Sequence, residues 1–398
     1  MIDFKAFYTE EEVVKLLQDM VAIPSHIDCG HYETKMADFV YEYCSNLGFE
    51  CEREFVDGER NNVYVRLRGT GGGPTLLLNG HMDTVPPFNM TVDPYAGEIK
   101  DGCVWGRGTN DMKGALACMI TAMAAIKRSG LKLKGDVLFT GVTAEEEAGA
   151  GTETFVLNGG TADGAIVGEP CGYEYTIGHR GLVWLEIKVE GVTVHGGQAQ
   201  NGINAISMAS RLIERINTKL VPEINKRQNE YMGPAIMNYG KIFGGDQVST
   251  VAGECTIQID RRFVPGETVD SVMAEYQAII DELHAEDPKF KATLAPMPEG
   301  LMKELYLAPL IPQPESKIVK CVEKVLYNHL GEPAPMCTTR GWSDAATLSS
   351  FGKIPTVVFG PGNTKFSHTK NEHIAIEQLY NFTDFYANIA ADFCEIDE

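Results

Sequence analysis

The chain has 398 residues, with 34 Lys and Arg against 55 Asp and Glu, which gives a formal charge of −21. This acidic excess argues against binding to a nucleic-acid backbone or to an anionic membrane surface. No run of about 18 apolar residues is present to span a bilayer, and the first residues lack the basic start and apolar core of a signal peptide. We therefore expect a cytoplasmic protein that binds neither nucleic acid nor membrane.

The N-terminal part of the chain predicts two helices and a strand. Thr9 and Glu12 together form a capping-box signal for the first helix, and Pro24 ends it. A second helical pattern covers roughly 31–47, and the strand-like stretch NNVYVRLRG follows it. The sequence thus predicts two helices followed by a strand before the first candidate ligand, His81.

Four short apolar runs come next, and each stops at or shortly before a candidate ligand. TLLLNGH ends in His81, DVLFTGVTAEEE ends in three glutamates, GAIVGEP ends next to Glu169, and IPTVVFGPG precedes His368. Continuous runs suit strands that are buried on both faces, and a helical pattern lies between the first two. The sequence thus predicts an α/β fold with a mostly parallel central sheet flanked by helices, and open sheets of this kind place their sites at the carboxyl ends of strands.

The pattern changes between residues 181 and 295. LVWLEIKVEGVTVH and ECTIQIDRRF alternate between apolar and polar residues, and two helical patterns accompany them. Alternation is typical of antiparallel strands with one buried face. We predict an inserted α+β domain over 181–295, with an antiparallel sheet and two helices. Residues 1–180 and 296–398 then form one discontinuous catalytic domain.

Each polar motif also has an ordinary structural explanation. His81 and Asp83 in GHMD could form a surface turn, or Asp83 could fix the tautomer of a metal-binding His81. Asp111 opens a helix and could simply cap it. Three adjacent glutamates are most often a solvated run of charge. Because no spacing rule links residues spread from 81 to 368, local pattern alone does not establish a metal site.

Taken together, the motifs resemble a known family. GHMDTVPP, GRGTNDMKG, TAEEEAG, IVGEP, HGGQAQNGINAI, DRRFVPGE and FSHTKNEHI occur in the order found in the M20 zinc peptidases. This group includes acetylornithine deacetylase, succinyl-diaminopimelate desuccinylase, aminoacylase-1 and glutamate carboxypeptidase. The resemblance covers essentially the whole chain. It implies a catalytic domain with two zinc ions, an inserted lid or dimerisation domain, and a homodimer.

The resemblance also implies a set of metal ligands. Asp111 would bridge both ions, His81 and Glu169 would complete one site, and Glu147 and His368 would complete the other. Zinc accepts such mixed imidazole and carboxylate ligands, and Co²⁺ or Mn²⁺ are possible substitutes. The clustered acids would then be compensated by metal charge.

Three further roles follow from the resemblance. Glu146 would be the general base, Asp83 would orient His81, and His195 in the lid would reach the active site of the other subunit and stabilise the oxyanion. Glu145 would be left without a role and would face solvent. The resemblance further predicts a cis peptide bond between Asp111 and Met112.

Substrate recognition is the least defined part of the prediction. A substrate with a carboxylate needs a cation, for which Arg262, Arg180 and Arg340 are the candidates, with Arg262 ranked first. Ser249 stands where the family usually has a substrate-contacting Asn. Trp342 adds a bulky side chain in TTRGWSD, which suggests a differently shaped pocket.

The resulting hypothesis is a dinuclear zinc hydrolase that cleaves the amide bond of an N-acyl amino acid by means of a metal-bridging hydroxide. The alternative within the same chemistry is a dipeptidase or carboxypeptidase acting on a short peptide. A metal-free glycosidase would leave His81 and His368 without a function. A catalytically inactive binding protein is the remaining alternative, although every predicted ligand is present.

Overall fold

A six-stranded sheet organises the first of two units into which the chain divides. The computed structural model describes residues 1–298, 301–337 and 341–397. Within this part of the chain, the first unit contains residues 1–177, 311–337 and 343–397. The second unit contains the described residues of 178–310 together with residues 341–342.

The strands and helices are numbered in chain order. The strands of the first unit are β1 (Glu50–Asp57), β2 (Arg60–Leu67), β3 (Leu76–His81), β4 (Glu98–Lys100), β5 (Cys103–Trp105), β6 (Val137–Val142), β7 (Gly164–Pro170), β14 (Thr356–Gly360) and β15 (His373–Ala375). Its helices are α1 (Glu10–Val21), α2 (Thr34–Asn46), α3 (Gly114–Ser129), α4 (Ala150–Leu157), α8 (Lys317–Leu330), α9 (Ala345–Ser350) and α10 (Ile376–Phe393). The second unit contains β8 (Gly181–Glu190), β9 (Gln228–Asn229), β10 (Gly233–Pro234), β11 (Ile236–Gly244), β12 (Glu254–Phe263), β13 (Lys291–Pro296), α5 (Ala205–Arg215), α6 (Val221–Asn225) and α7 (Val269–Glu286).

The main sheet of the first unit has the order β1-β2-β6-β3-β7-β14. Its last four strands are mutually parallel, and β1 and β2 add an antiparallel edge. Strands β3, β6 and β14 are buried along their whole length, which is why they read as continuous apolar runs. The predicted α/β fold with a mostly parallel sheet is confirmed. The carboxyl ends of four parallel strands consequently meet at one edge.

The helices of the first unit begin and end largely where their sequences predict. The Thr9 side chain accepts a hydrogen bond from the Glu12 backbone N–H and so caps α1. The Glu12 carboxylate does not return to Thr9 but pairs with Arg128 at the end of α3, so the capping box is only half formed. Helix α3 is buried over most of its length and packs against α10. In the described residues, no helix combines the length and apolarity required to cross a membrane.

The second unit is built on an antiparallel sheet with the order β11-β12-β8-β13. Helices α5 and α7 contribute to its core, in which buried apolar side chains of the sheet and helices form one cluster: Leu185, Ile187, Ala209, Leu212, Ile257, Ile259, Tyr276 and Ile280. The antiparallel sheet and two main helices match the prediction for the inserted segment.

The second unit extends further along the chain than the predicted boundary at residue 296. Leu182 N donates to Leu307 O at 2.9 Å, and Leu182, Met302 and Leu307 form a buried cluster against which Trp342 packs. The indole N–H of Trp342 donates to Ala308 O at 3.0 Å. Residues 301–310 thus belong to the second unit because they cover the start of β8. This assignment could not be predicted from the sequence, because residues 301–310 do not alternate between apolar and polar side chains as a strand would.

Candidate metal centre

Four of the five predicted ligands lie together at the carboxyl edge of the main sheet of the first unit: His81, Asp111, Glu169 and His368. His81 is the last residue of β3 and lies opposite Val142, the last residue of β6. Glu169 lies near the end of β7, and His368 follows β14. Asp111 lies in the turn before α3, directly before a cis peptide bond to Met112, which confirms that prediction. The parallel strands thus deliver side chains that are far apart in sequence to one place.

His81 is held in a defined orientation. Its ring is buried, and Nδ1 donates to the backbone carbonyl of Asp83 at 3.0 Å, with the Asp83 carboxylate 3.5 Å away. This contact leaves Nε2 facing Asp111 Oδ1 at 3.3 Å and Glu169 Oε1 at 3.5 Å. Asp83 lies beside His81 as predicted, but its backbone oxygen makes the shorter contact.

Asp111 lies between two histidines. Its Oδ1 is 3.3 Å from His81 Nε2, and its Oδ2 is 3.4 Å from His368 Nε2. His368 adopts a left-handed backbone conformation, with φ of 60°, and its ring is half exposed. One carboxylate therefore presents a different oxygen to each imidazole, which is the arrangement that a bridging ligand requires.

The carboxylates of the three adjacent glutamates lie in different places. The Glu146 carboxylate lies 2.8 Å from His368 Nε2. Oxygen atoms of Glu145 and Glu169 lie within 4.8 Å of each other and of a His81 nitrogen. The Glu147 carboxylate instead pairs with Arg60 Nη2 at 2.8 Å. In this structure the Glu146 carboxylate, and not that of Glu147, lies beside His368, and Glu145 lies near His81 and Glu169.

The electrostatics of the cluster show an excess of negative groups. Burial, and then the charge of Glu169, raises the pKa of the Glu145 carboxyl well above its usual range. Burial, and then the charge of Asp111, does the same to Glu169. Hydrogen bonds to Asp111 and Glu146 raise the pKa of His368 to about 10. Crowded carboxyl groups that raise each other's pKa are expected at a site that requires a cation.

Orphaned polar atoms test whether a metal fits this cluster. Among the described residues, His81 Nε2 and Glu169 Oε1 are buried without a hydrogen-bond partner, although such groups are normally satisfied. His81, Asp111 and Glu146 place one ligand atom each within 4.8 Å of one another. Imidazole nitrogen and carboxylate oxygen are donors that divalent zinc accepts. The residues present therefore fit a metal.

A buried carboxylate holds the turn that carries Asp111. Glu372 is inaccessible to solvent, and its Oε1 accepts the backbone N–H groups of Gly108, Asn110 and Asp111, each at 3.0 Å. Its other oxygen accepts from Arg107, which is also buried. One side chain thus accepts hydrogen bonds from three backbone donors and from one nitrogen of a buried guanidinium.

Replacing Glu372 with Ala is expected to lower the free energy of unfolding by about 3–5 kcal/mol, because it leaves Arg107 buried without its partner. Urea titration followed by circular dichroism measures this change. The matched control is Glu50→Ala, which removes the exposed partner of Arg68 and should leave the midpoint unchanged. Equal midpoints for the two variants would contradict the assigned role.

The remaining predicted residues lie in the second unit. His195 is exposed, and its Nδ1 accepts a hydrogen bond from Gly197 N at 3.1 Å. The backbone N–H of Gly196, between these two residues, donates to Ser249 O. The half-buried Arg180 donates to Pro234 O at 2.6 Å, and Arg262 pairs with Asp260 at 2.8 Å. Arg340 lies outside the described residues.

Sequence reasoning missed several residues that the geometry brings to the centre. They are Glu145, Arg60, Glu33 and Glu372. The stretch FSHTKNEHI contained Glu372 and could have drawn attention to it. Nothing local marks Arg60 or Glu33, because their partners lie 87 and 111 residues away in sequence.

Comparison with known proteins gives consistent results. The sequence pattern of peptidase family M20/M25/M40 matches residues 77–392. The N-formyl-4-amino-5-aminomethyl-2-methylpyrimidine deformylase of Halalkalibacterium halodurans is 27% identical, over 97% of this chain and 95% of its own. The acetylornithine deacetylase of Proteus mirabilis is 30% identical, over 96% of each chain. Among solved structures, aminopeptidase PepT of Bacillus cereus is similar in fold, with a TM-score of 0.80 and 21% identity over 98% of this chain and all of the other.

Proposed function

The chain belongs to peptidase family M20/M25/M40 and is a metal-dependent hydrolase of amide bonds, and we propose that it uses two metal ions to remove a small acyl group from an N-acyl amino acid. The observation that carries the proposal is the position of Asp111 between His81 and His368. The two curated relatives described above are named as a deacetylase and a deformylase, which supports a small acyl group as the part of the substrate that is transferred to water.

In this proposal Asp111 would be a ligand at both metal positions. His81 and Glu169 would be the other ligands at one position, and Glu146 and His368 at the other. Zinc is the first candidate, and cobalt or manganese could replace it. The bound ions would supply Lewis acidity that polarises the amide carbonyl and lowers the pKa of water. Their charge also offsets the carboxylates that otherwise repel one another.

Glu145 is the proposed general base. It lies beside His81 and Glu169, close to the ligands without being needed as one of them. It takes the proton of the attacking water and delivers it to the leaving amine. Asp83 fixes its position, because the Asp83 carboxylate accepts Glu145 N at 3.2 Å and Glu146 N at 2.9 Å.

Residues of the second unit are proposed to recognise the substrate. Arg180 donates to Pro234 O, and Arg262 lies opposite Ile236, two residues further along the chain. Burial, and then the positive charge of Arg262, lowers the pKa of Arg180. Two adjacent cations suit the carboxylate of an N-acyl amino acid. His195 is proposed to stabilise the oxyanion, and Ser249 to contact the substrate. The role of Arg340 stays a prediction from sequence.

Chelation is expected to abolish turnover of N-acetyl, N-formyl or N-succinyl amino acids, because water then loses its activation by metal. Added Zn²⁺, Co²⁺ or Mn²⁺ should restore it. Metal analysis of the purified protein should find two ions per chain. The measurement is a panel of acylated amino acids and dipeptides, assayed before and after chelation. Turnover confined to dipeptides would instead support a peptidase, and chelator-resistant turnover would exclude the two-metal proposal.

The homodimer is proposed to form through the second unit. Strand β11 is an edge strand of its sheet, and Ile236, Ile242 and Phe243 on it are exposed. An exposed apolar edge is a template for pairing with another strand. Two copies of β11 could pair about a twofold axis, which gives a self-complementary interface.

Phe243→Asp is therefore expected to reduce the mass measured by light scattering from that of a dimer to that of a monomer, because it places a charge on the pairing edge. Phe55→Asp is the matched control, since Phe55 is an exposed phenylalanine on the edge strand β1 of the other unit. It should leave the mass unchanged. A wild-type protein that is monomeric at micromolar concentration would exclude the proposed dimer.

A further inference from the structure

The segment that follows β6, residues 143–147, is held by side chains rather than by a neighbouring strand. Four successive backbone N–H groups each donate to a side-chain acceptor. Thr143 N donates to Asn62 Oδ1 at 3.2 Å, and Ala144 N donates to Glu33 Oε1 at 3.1 Å. The next two amides, of Glu145 and Glu146, donate to Asp83. The two glutamates proposed for chemistry therefore depend on side-chain anchors for their position.

Arg60 joins these anchors from the start of β2. Its Nε donates to Glu33 Oε2 at 2.8 Å, and its Nη2 contacts both Glu33 Oε1 and, at 2.8 Å, Glu147 Oε1. Arg60 and Glu33 are buried, and the guanidinium lies over the Tyr32 ring at 4.8 Å. The Arg60–Glu33 pair therefore contacts the segment on both sides of Glu145 and Glu146. Glu33 accepts the hydrogen bond of Ala144 N, and Arg60 binds the carboxylate of Glu147.

We propose that Arg60 and Glu33 are positioning residues that aim Glu145 and Glu146 at the metal centre. This proposal rests on the proposed function, because it is the proposed function that assigns roles in catalysis and metal binding to Glu145 and Glu146. Neither residue needs to touch substrate or metal. In this role, Glu147 is the attachment point of the segment to Arg60, which gives each of the three adjacent glutamates a separate task.

The geometry requires arginine at position 60. A planar guanidinium can bind both oxygens of Glu33 and still reach Glu147, whereas a lysine ammonium is a single point of charge. Ala144 adds a further constraint, because its backbone is left-handed with φ of 61°. That conformation is unfavourable for alanine unless neighbouring contacts hold it. Replacement of the Arg60 guanidinium should therefore increase the mobility of residues 143–147.

The first experiment compares Arg60→Lys with Arg53→Lys. Arg53 is a matched control, because it lies on the same hairpin, pairs with Asp38 at 2.9 Å and stacks on Tyr41 at 4.4 Å, but contacts no residue of the segment. Hydrogen exchange of the metal-free protein should show amides 143–146 exchanging at least about 10-fold faster in Arg60→Lys. Zinc affinity, measured by competition with a chelator, should fall about 10–100-fold. Neither change is expected in Arg53→Lys.

A double variant separates positioning from stability. Arg60→Met with Glu33→Met replaces a buried ion pair by apolar side chains, which is often neutral for stability. This variant is expected to remain folded, with a melting temperature lowered only by the loss of the acceptor for the Ala144 N–H, and to lose zinc affinity to the same extent. Unchanged zinc affinity and unchanged exchange of amides 143–146 in both Arg60 variants would overturn the proposal. Failure of the wild-type protein to hydrolyse any amide would count against the proposed function alone, because the exchange comparison needs no turnover.

Discussion

Glu145→Gln is expected to lower kcat roughly 10²–10⁴-fold while the metal content stays that of the wild-type protein. General acid–base catalysis contributes a factor of this size, and a glutamine cannot accept or deliver the proton. Its side chain has nearly the shape of glutamate, and the backbone N–H of residue 145 still donates to Asp83. Single-turnover kinetics with metal analysis of the same sample measure both quantities.

The neighbouring glutamates supply matched controls for this result. Glu146→Gln should lose metal as well as turnover, because Glu146 lies with His81 and Asp111. Glu147→Gln should keep its metal, because its carboxylate pairs with Arg60 instead. The opposite pattern, with metal lost in Glu147→Gln and retained in Glu146→Gln, would restore the original sequence prediction and remove Glu145 from the mechanism.

Asp111→Asn is expected to have the largest effect of any single substitution. It removes a carboxylate that faces both histidines, so both proposed metal positions lose a ligand together. Turnover should fall by more than about 10⁴-fold, because the metal and the acid–base contributions are lost together. Calorimetric titration with Zn²⁺ should show the loss of both binding events.

Asp101→Asn is the control for the aspartate substitution. Asp101 lies in the exposed turn between β4 and β5, and asparagine tolerates its positive φ of 53°. This variant should bind zinc and turn over substrate as the wild-type protein does. If Asp111→Asn still took up two ions with unchanged affinity, Asp111 could not be the bridging ligand.

The fold was largely predictable because its signals are local. The continuous apolar runs of β3, β6 and β14 report burial on both faces, and parallel strands bring their carboxyl ends together. His81 and Glu169 could therefore be placed at one edge from the pattern alone. Their assignment as ligands needed the family resemblance, since no spacing rule connects them.

The details that could not be predicted depend on contacts between distant residues. Three identical side chains in a row give no sign of which one turns towards the metal centre. That choice is made by Asp83, Glu33 and Arg60, which hold the segment from other elements. The start of β8 is likewise covered by residues 301–310, whose role appears only once the chain has folded back on it.

The contact between Asp111 and Glu372 joins residues 261 positions apart in sequence, and the inserted unit is translated between them. A nascent chain therefore emerges from the ribosome with His81, Asp111 and Glu146 already made but with His368 and Glu372 still missing. Long-range closure of this kind is slow and comes late in folding. The growing polypeptide therefore cannot assemble the proposed metal centre until the last part of the first unit has been made.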